Sequence, residues 1–253
     1  TPSYPNATAK PPIWKPADMT VAILLAGGQG TRLHAVWQGR PKALAPVAGR
    51  PFIDYLIAQL AQSGAFSKIV IAAGYKAEAL TAHCAAIADV PPIVVSVEPS
   101  PLGTGGALLH ALSDTEGETV AVLNGDSFVN IDVAELLADH DAAATIVAVR
   151  APKRGCFGAL ELSGDRLVGF SEKSSDGPGW INAGVYLFQR AALNDFTPGI
   201  LSLETDIMPT LIPSGVNVVR ANSAFIDIGT PADFARADAF FAALDLYGIG
   251  PGT

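Results

Sequence analysis

A five-residue apolar run, Val21 to Leu25, leads without a break into Ala26-Gly27-Gly28-Gln29-Gly30. No other feature restricts the fold as tightly. The run reads as a buried strand, and a loop with three glycines among four residues follows at its carboxyl end. Residues without a β-carbon let backbone N–H groups come close to a polyanion, and several such groups in a row form an anion nest. Arg32, in Thr31-Arg32-Leu33, and Lys42, in Arg40-Pro41-Lys42-Ala43-Leu44, add the fixed positive charge that a triphosphate demands. No Gly-Lys-Ser/Thr closes the loop, so it is not the Walker phosphate loop. Its glycine spacing is not that of the dinucleotide fingerprint either.

Beyond Leu25, strand and helix alternate. Apolar spacing predicts a helix over 52–63, a strand over 68–73, a helix over 76–87 and a strand over 92–97. A helix over 105–112 follows a second Gly-rich loop, and a strand over 119–124 ends at Asp126. Repeated βα units predict an α/β fold on a parallel, doubly wound sheet, with ligands beyond the carboxyl ends of the strands. After a helix over 132–140 the pattern changes to short strands over 143–149, 158–162, 167–171, 181–188, 217–220 and 224–227. Helices are expected near 202–211 and from Pro231. No linker or repeat divides the chain, so residues 20–253 are expected to form one domain. Residues 1–19, with Pro2, Pro5, Pro11, Pro12 and Pro16, read as an extended arm that packs on something, a neighbouring subunit of a homodimer being one candidate.

Composition narrows the partners. The 253 residues are 49% hydrophobic and 16% charged, enough for one large core. A net charge of −8 and a pI near 4.9 argue against nucleic acid or an anionic membrane surface. An acidic chain that binds a triphosphate must gather its few cations locally and recruit a divalent metal. Cys84 and Cys156 lie far apart, lack metal-ligand spacing and read as reduced thiols. No apolar run approaches the ~20 residues of a membrane span. Residues 1–15 lack the apolar core of a signal peptide, so a cytoplasmic location is the expectation.

Two carboxylates stand at strand ends. Leu123-Asn124-Gly125-Asp126 ends an apolar run in a polar turn, and Phe225-Ile226-Asp227-Ile228-Gly229-Thr230 repeats that logic. Brought together across the sheet, Asp126 and Asp227 would hold Mg²⁺, a hard cation that prefers oxygen ligands and retained water. Taken alone, each is more often a strand-end or helix cap.

Gly27-Gly28-x-Gly30-Thr31-Arg32-Leu33 followed by Pro41-Lys42 resembles the signature of the sugar-1-phosphate nucleotidylyltransferases. The resemblance covers roughly residues 20–242. It implies a Rossmann-like, GT-A-type fold: a mostly parallel mixed sheet flanked by helices in a three-layer sandwich. A nucleotide-binding half would span about 20–140 and a sugar-binding half about 141–242. Leu25, Ala26, Gly27, Gly28, Gly30 and Thr31, with Gly103, Thr104, Asn124 and Gly125, would bind the nucleoside triphosphate. Arg32 and Lys42 would neutralise phosphates during catalysis, and Asn-Gly-Asp and Asp-Ile-Gly-Thr-Pro match the family's metal-binding motifs at Asp126 and Asp227. In Phe170-Ser171-Glu172-Lys173, Lys173 would bind the phosphate of a sugar 1-phosphate. Glu172 and Asn182 would hydrogen-bond sugar hydroxyls, and Gly184 would leave space for the ring. A neutral Asn suits hydroxyls because it donates and accepts at once.

The loop Glu98-Pro99-Ser100-Pro101-Leu102-Gly103-Thr104-Gly105-Gly106-Ala107 bears on specificity. Its backbone is free to lie against a flat base, Thr104 can hydrogen-bond a base edge, and the helix N-terminus near Gly105 would face the ligand. The loop resembles that of guanylyltransferases acting on manno-configured sugars. Within that group the likeness is to the D-glycero-α-D-manno-heptose 1-phosphate guanylyltransferases of surface-polysaccharide assembly. The implied reaction is in-line attack of the sugar phosphate on the α-phosphorus of GTP, giving GDP-heptose and pyrophosphate. Mannose 1-phosphate, or UTP with N-acetylmuramate 1-phosphate, stays open within the class, as does a related transferase acting on an alcohol phosphate such as choline phosphate. Outside it stands a catalytically silent regulator that binds a nucleotide sugar. Trp37, in His34-Ala35-Val36-Trp37-Gln38-Gly39, either stacks on the base or packs over the loop.

Overall fold

The structure is a computed structural model that describes residues 20–113, 115–153, 158–171 and 177–244. Strand β1 (Val21–Leu25) lies inside the main sheet. Val21 and Ile23 face one core and Ala22 and Leu24 the other, all at most 2% exposed. Both faces are dry, so no polar residue interrupts the run. A small hairpin, β2 (Pro46–Val47) and β3 (Arg50–Pro51), precedes α1 (Phe52–Ser63), which ends at Gly64 in the left-handed conformation. Next come β4 (Lys68–Ala73), α2 (Ala77–Cys84), β5 (Ile93–Val97), α3 (Gly103–Leu112) and β6 (Thr119–Asn124). Strands β5, β4, β1 and β6 are neighbours in that order and run parallel.

The later part adds β7 (Ser127–Val129), α4 (Val133–Ala138), β8 (Ala144–Ala151), β9 (Ala159–Ser163), β10 (Arg166–Ser171) and β11 (Gly179–Gln189). It closes with α5 (Met208–Leu211), β12 (Val216–Ala221), β13 (Phe225–Asp227) and α6 (Pro231–Ala243). Beyond β6 the sheet continues β11-β8-β12-β10-β9, and only β8 and β12 pair in parallel there. The expected excess of parallel strands is therefore confined to the first half. The reason is connection: β9 and β10 are joined by a tight turn with Gly164 at φ +57°, which only antiparallel partners allow. Helices α1, α2, α4 and α6 supply one core, and α3 with α5 the other. On α6, Phe241 stacks on Tyr55 with ring centroids 3.8 Å apart and meets Phe52 and Phe128 edge-on.

Three expectations change. The helix expected over 202–211 is a π-helical turn, Leu203–Ile207, then α5, then a 3-10 turn, Ile212–Ser214. Pro209 and Pro213 lack the N–H groups a continuous ladder needs. The strand ending at Asp227 stays outside the main sheet and pairs with β7 as a two-stranded ribbon. Strand β11 also shifts register against β8 between Asn182 and Tyr186, where Gly184 sits at φ +75°. Among the described residues, no helix is long and apolar enough to cross a membrane.

Candidate active site

Because β5, β4, β1 and β6 are parallel, the loops after β1, β5 and β6 leave one rim of the sheet. They surround a cleft of about 640 Å³, a size suited to a small-molecule ligand. Leu25, Ala26, Gly27, Gly28, Gly30, Thr31 and Arg32 line it, with Lys42, Gly103, Thr104, Asn124, Gly125 and Asp126. Gly30, at φ +62°, turns the chain into a 3-10 turn, Thr31–Leu33. Leu33 anchors that turn in the core while Arg32 stays exposed at the cleft. Among the described residues, none accepts a hydrogen bond from the N–H groups of Gly28, Gln29 or Gly30. Three unpaired donors in sequence, on a loop that lines the cleft, are what an anion nest would need.

The ribbon brings the two aspartates together. Asp227 pairs with Ser127, and the N–H of Ile228 donates to the carbonyl of Asp126 at 2.9 Å. This replaces the expected meeting across the main sheet: a short antiparallel pair beside it does the work. Lys42, 8% exposed, donates from Nζ to Asp126 Oδ2 at 2.7 Å. Burial foremost, then the charge of Asp126, push the Asp227 carboxyl up to about 6 against the opposing pull of Lys42, the Gly229 N–H and Arg32. The N–H of Gly229 donates to Asp227 Oδ1. A β-carbon at Gly229 would stand 3.3 Å from Lys42 Nζ and 3.4 Å from Arg32. The glycine thus lets both cations close on the carboxylates. Two facing carboxylates, one of them held reluctantly as an anion, are a donor set that fits a hard divalent cation. Among the described residues no three His, Cys, Asp or Glu side chains are grouped so as to hold a metal ion, so phosphate oxygens and water would complete such a shell.

The loop after β5 does something other than expected. A β-carbon at Gly103 would meet the Leu201 carbonyl at 2.5 Å, and one at Gly106 would overlap the Gly199 carbonyl. The N–H groups of Gly105 and Gly106 both donate to Leu201 O, at 2.8 and 3.1 Å. Thr104 Oγ1 accepts from the Leu203 N–H at 2.9 Å. These glycines make room for segment 199–203 rather than for a flat base, and half of the first turn of α3 is already paired. Gly103 and Thr104 still line the cleft, and the Thr104 hydroxyl hydrogen remains available to donate.

On β11, Asn182 is buried and heavily engaged. Its Nδ2 donates to Tyr186 Oη at 2.5 Å and to Glu204 Oε1 at 2.7 Å, and its Oδ1 accepts from the Gly184 N–H at 2.9 Å. Gly184 leaves space not for a ring but for the protein itself. Its β-carbon would stand 2.5 Å from Ser127 Oγ and 2.8 Å from Asn124 Nδ2. Neither Asn182 nor Gly184 lines the cleft. Glu172 and Lys173 lie outside the described residues, as do residues 1–19 and Cys156. Cys84 is buried and unpaired, its thiol pushed up to about 11 by burial. Trp37 packs over its loop: Nε1–H donates to the Pro41 carbonyl at 3.1 Å, and Arg40 lies 5.7 Å above the ring.

One lining residue escaped the sequence reading although it opens the specificity loop. Glu98 Oε2 accepts from the Leu102 N–H at 3.0 Å, and Oε1 lies against Gly27 and Gly74, where any β-carbon would collide with it. The signal was there: a carboxylate beside a loop shaped for a polyanion needs a reason.

Comparison with known proteins gives the same picture. The nucleotidyl transferase family model matches residues 21–243. A mannose-1-phosphate guanylyltransferase of Mycobacterium tuberculosis is 34% identical over 86% of this chain, which spans only 63% of that protein's length. A D-glycero-alpha-D-manno-heptose 1-phosphate guanylyltransferase of Aneurinibacillus thermoaerophilus is 30% identical over 85% of this chain and 96% of its own. The crystal structure of HddC from Yersinia pseudotuberculosis complexed with GMP-PN superposes with a TM-score of 0.79 at 29% identity, covering 88% of this chain and all of HddC.

Proposed function

The chain belongs to the nucleotidyl transferase family, and we propose that it transfers the guanylyl group of GTP to D-glycero-α-D-manno-heptose 1-phosphate, giving GDP-heptose and pyrophosphate. One observation carries the reaction type. Residues 28–30 with their unpaired N–H groups, Arg32, Lys42 and Asp126 line one cleft, and Asp227 lies within electrostatic reach of Arg32, Lys42 and Asp126. That arrangement suits a triphosphate.

A phosphate oxygen of the sugar 1-phosphate attacks the α-phosphorus. The bond from that phosphorus to the bridging oxygen breaks, and the electron pair leaves with pyrophosphate. The attacking group is already an anion, so no general base is required. Position and charge carry the rate. Arg32 and the glycine nest neutralise the departing pyrophosphate. Lys42 holds the reacting α-phosphate once substrate competes with Asp126 for its ammonium group. Lys173 takes the acceptor phosphate, as the family motif implies. Asp126 and Asp227 would hold Mg²⁺, which when bound supplies a Lewis acid and positive charge at the phosphates. In this reading the nucleotide-binding half, about 20–140, and the sugar-binding half, about 141–242, share one domain whose main sheet runs through both.

Glu98 supports GTP over the pyrimidine nucleotides. A carboxylate only accepts, and guanine offers adjacent N1–H and N2–H donors on one edge, whereas uracil offers one N–H flanked by carbonyls. The manno configuration is supported by relatives named for mannose and for heptose substrates. Mannose 1-phosphate is the second reading, since the mannose relative shares this part of its length. The test is pyrophosphate release with Mg²⁺ for four nucleoside triphosphates crossed with heptose, mannose, glucose and N-acetylmuramate 1-phosphates. The expected result is turnover with GTP and the heptose; turnover only with UTP would overturn the base assignment.

A further inference from the structure

Segment 199–207 is bonded to the loop after β5 on one side and to Asn182 of β11 on the other. Through Leu201 and Leu203 it is bonded to the nucleotide loop at Thr104, Gly105 and Gly106. The next residue, Glu204, turns its carboxylate the other way, and Oε1 accepts from Asn182 at 2.7 Å. Asn182 is fixed in turn by Gly184 and by the fully buried hydroxyl of Tyr186. Burial foremost, then the charges of Glu204 and Asp126, hold the Tyr186 phenol above its ordinary range. Glu204 and the proposed reaction centre therefore lie within electrostatic reach of one hydroxyl.

Nothing in the reaction above uses Glu204. It sits on a π-helical turn, a geometry frequent at functional sites. Its carboxylate is half-buried, and Oε2 accepts no hydrogen bond among the described residues. The residue facing it is Gly158, whose β-carbon would lie 3.3 Å from Oε1 and 3.6 Å from Oε2. A methyl group there would crowd Oε1 and stand in contact with Oε2, so among the described residues the glycine keeps this side of the carboxylate least crowded.

We propose that Glu204 selects the acceptor: aimed by Asn182 and uncrowded by Gly158, its carboxylate accepts hydrogen bonds from adjacent hydroxyls of the sugar ring. The inference rests on the acceptor being a sugar 1-phosphate, as proposed above. A carboxylate is an acceptor only, and vicinal hydroxyls present two O–H donors at a spacing its two oxygens match. The π turn then connects the two substrates physically, since Leu203 holds the nucleotide loop and Glu204 the sugar.

The test is steady-state kinetics of Glu204→Gln with GTP and either mannose 1-phosphate or D-glycero-D-manno-heptose 1-phosphate, whichever the wild type turns over. Analogues lacking one ring hydroxyl at a time complete the set. Glutamine keeps a carbonyl to accept from Asn182, so a purely structural role predicts unchanged constants. A selecting role predicts an acceptor KM raised about 10-fold or more with the GTP KM unchanged. The penalty for one deoxy analogue should also disappear in the variant. The Gly158 carbonyl accepts the Asn182 N–H at 2.9 Å, a backbone bond that alanine keeps, so Gly158→Ala, which crowds the carboxylate, should raise the acceptor KM alone. Unchanged acceptor KM in both variants overturns the inference while leaving the enzyme reading intact. A wild type that turns over no sugar 1-phosphate overturns the reading beneath it.

Discussion

At the scale of single residues, Asp227 carries a cost that the site is built to relieve. Its folded value of about 6 stands above the ordinary 3.8. The sign follows directly: the stability contributed by this group is complete below 3.8 and is lost as pH rises through about 6. Metal-free protein at neutral pH therefore holds an anion it would rather not hold. Asp227→Asn should raise the melting temperature of chelator-treated protein at pH 7.5 by a few degrees, roughly. The advantage should shrink as pH falls toward 4.5, and calorimetry at both pH values reads it. A constant gap would mean that Asp227 is not strained by its surroundings. Sequence could nominate both aspartates, because acidic residues at strand ends are legible. It could not show that a separate ribbon brings them together, since three-residue strands leave almost no periodic signal. Asn182 and Gly184 were legible as unusual residues, but their partners depend on a register shift that no local pattern encodes.

Among elements, the contact between α3 and segment 199–207 matters most. Here glycines exist for backbone against backbone. Gly106→Ala would drive a methyl group into the Gly199 carbonyl, and helix α3 is too well packed to move aside. The expected loss is about 2 kcal/mol in urea unfolding, within the usual range for overpacking. A loss near zero would mean that segment 199–203 yields easily and cannot hold the nucleotide loop. The helix itself was visible in sequence almost to the residue. What its glycines face was not, because the partner lies nearly a hundred residues downstream. Likewise, a helix is expected near 202–211 from the sequence, while the ladder's change from a π turn to α5 and then a 3-10 turn depends on where Pro209 and Pro213 fall.

For the whole molecule, the two halves of the sheet differ in how much they reveal. The parallel strands are buried on both faces, so they appear as short apolar runs between helical patterns, and β1, β4 and β6 were predicted with their observed bounds. The later strands switch partners and direction, and their order cannot be read from spacing. The chain's net charge of −8 makes the clustering of Arg32 and Lys42 at one cleft a feature of the whole molecule, not a local accident. That cluster, with its carboxylates, is where the proposed attack on the α-phosphorus would take place. The decisive measurement uses GTP labelled separately in the α- and γ-phosphates, with Mg²⁺ and a manno-configured sugar 1-phosphate. The α-label should appear in a GDP-sugar and the γ-label in pyrophosphate, in equal amounts. Orthophosphate carrying the γ-label, or α-label that stays in GDP without the sugar, would contradict nucleotidyl transfer at this site.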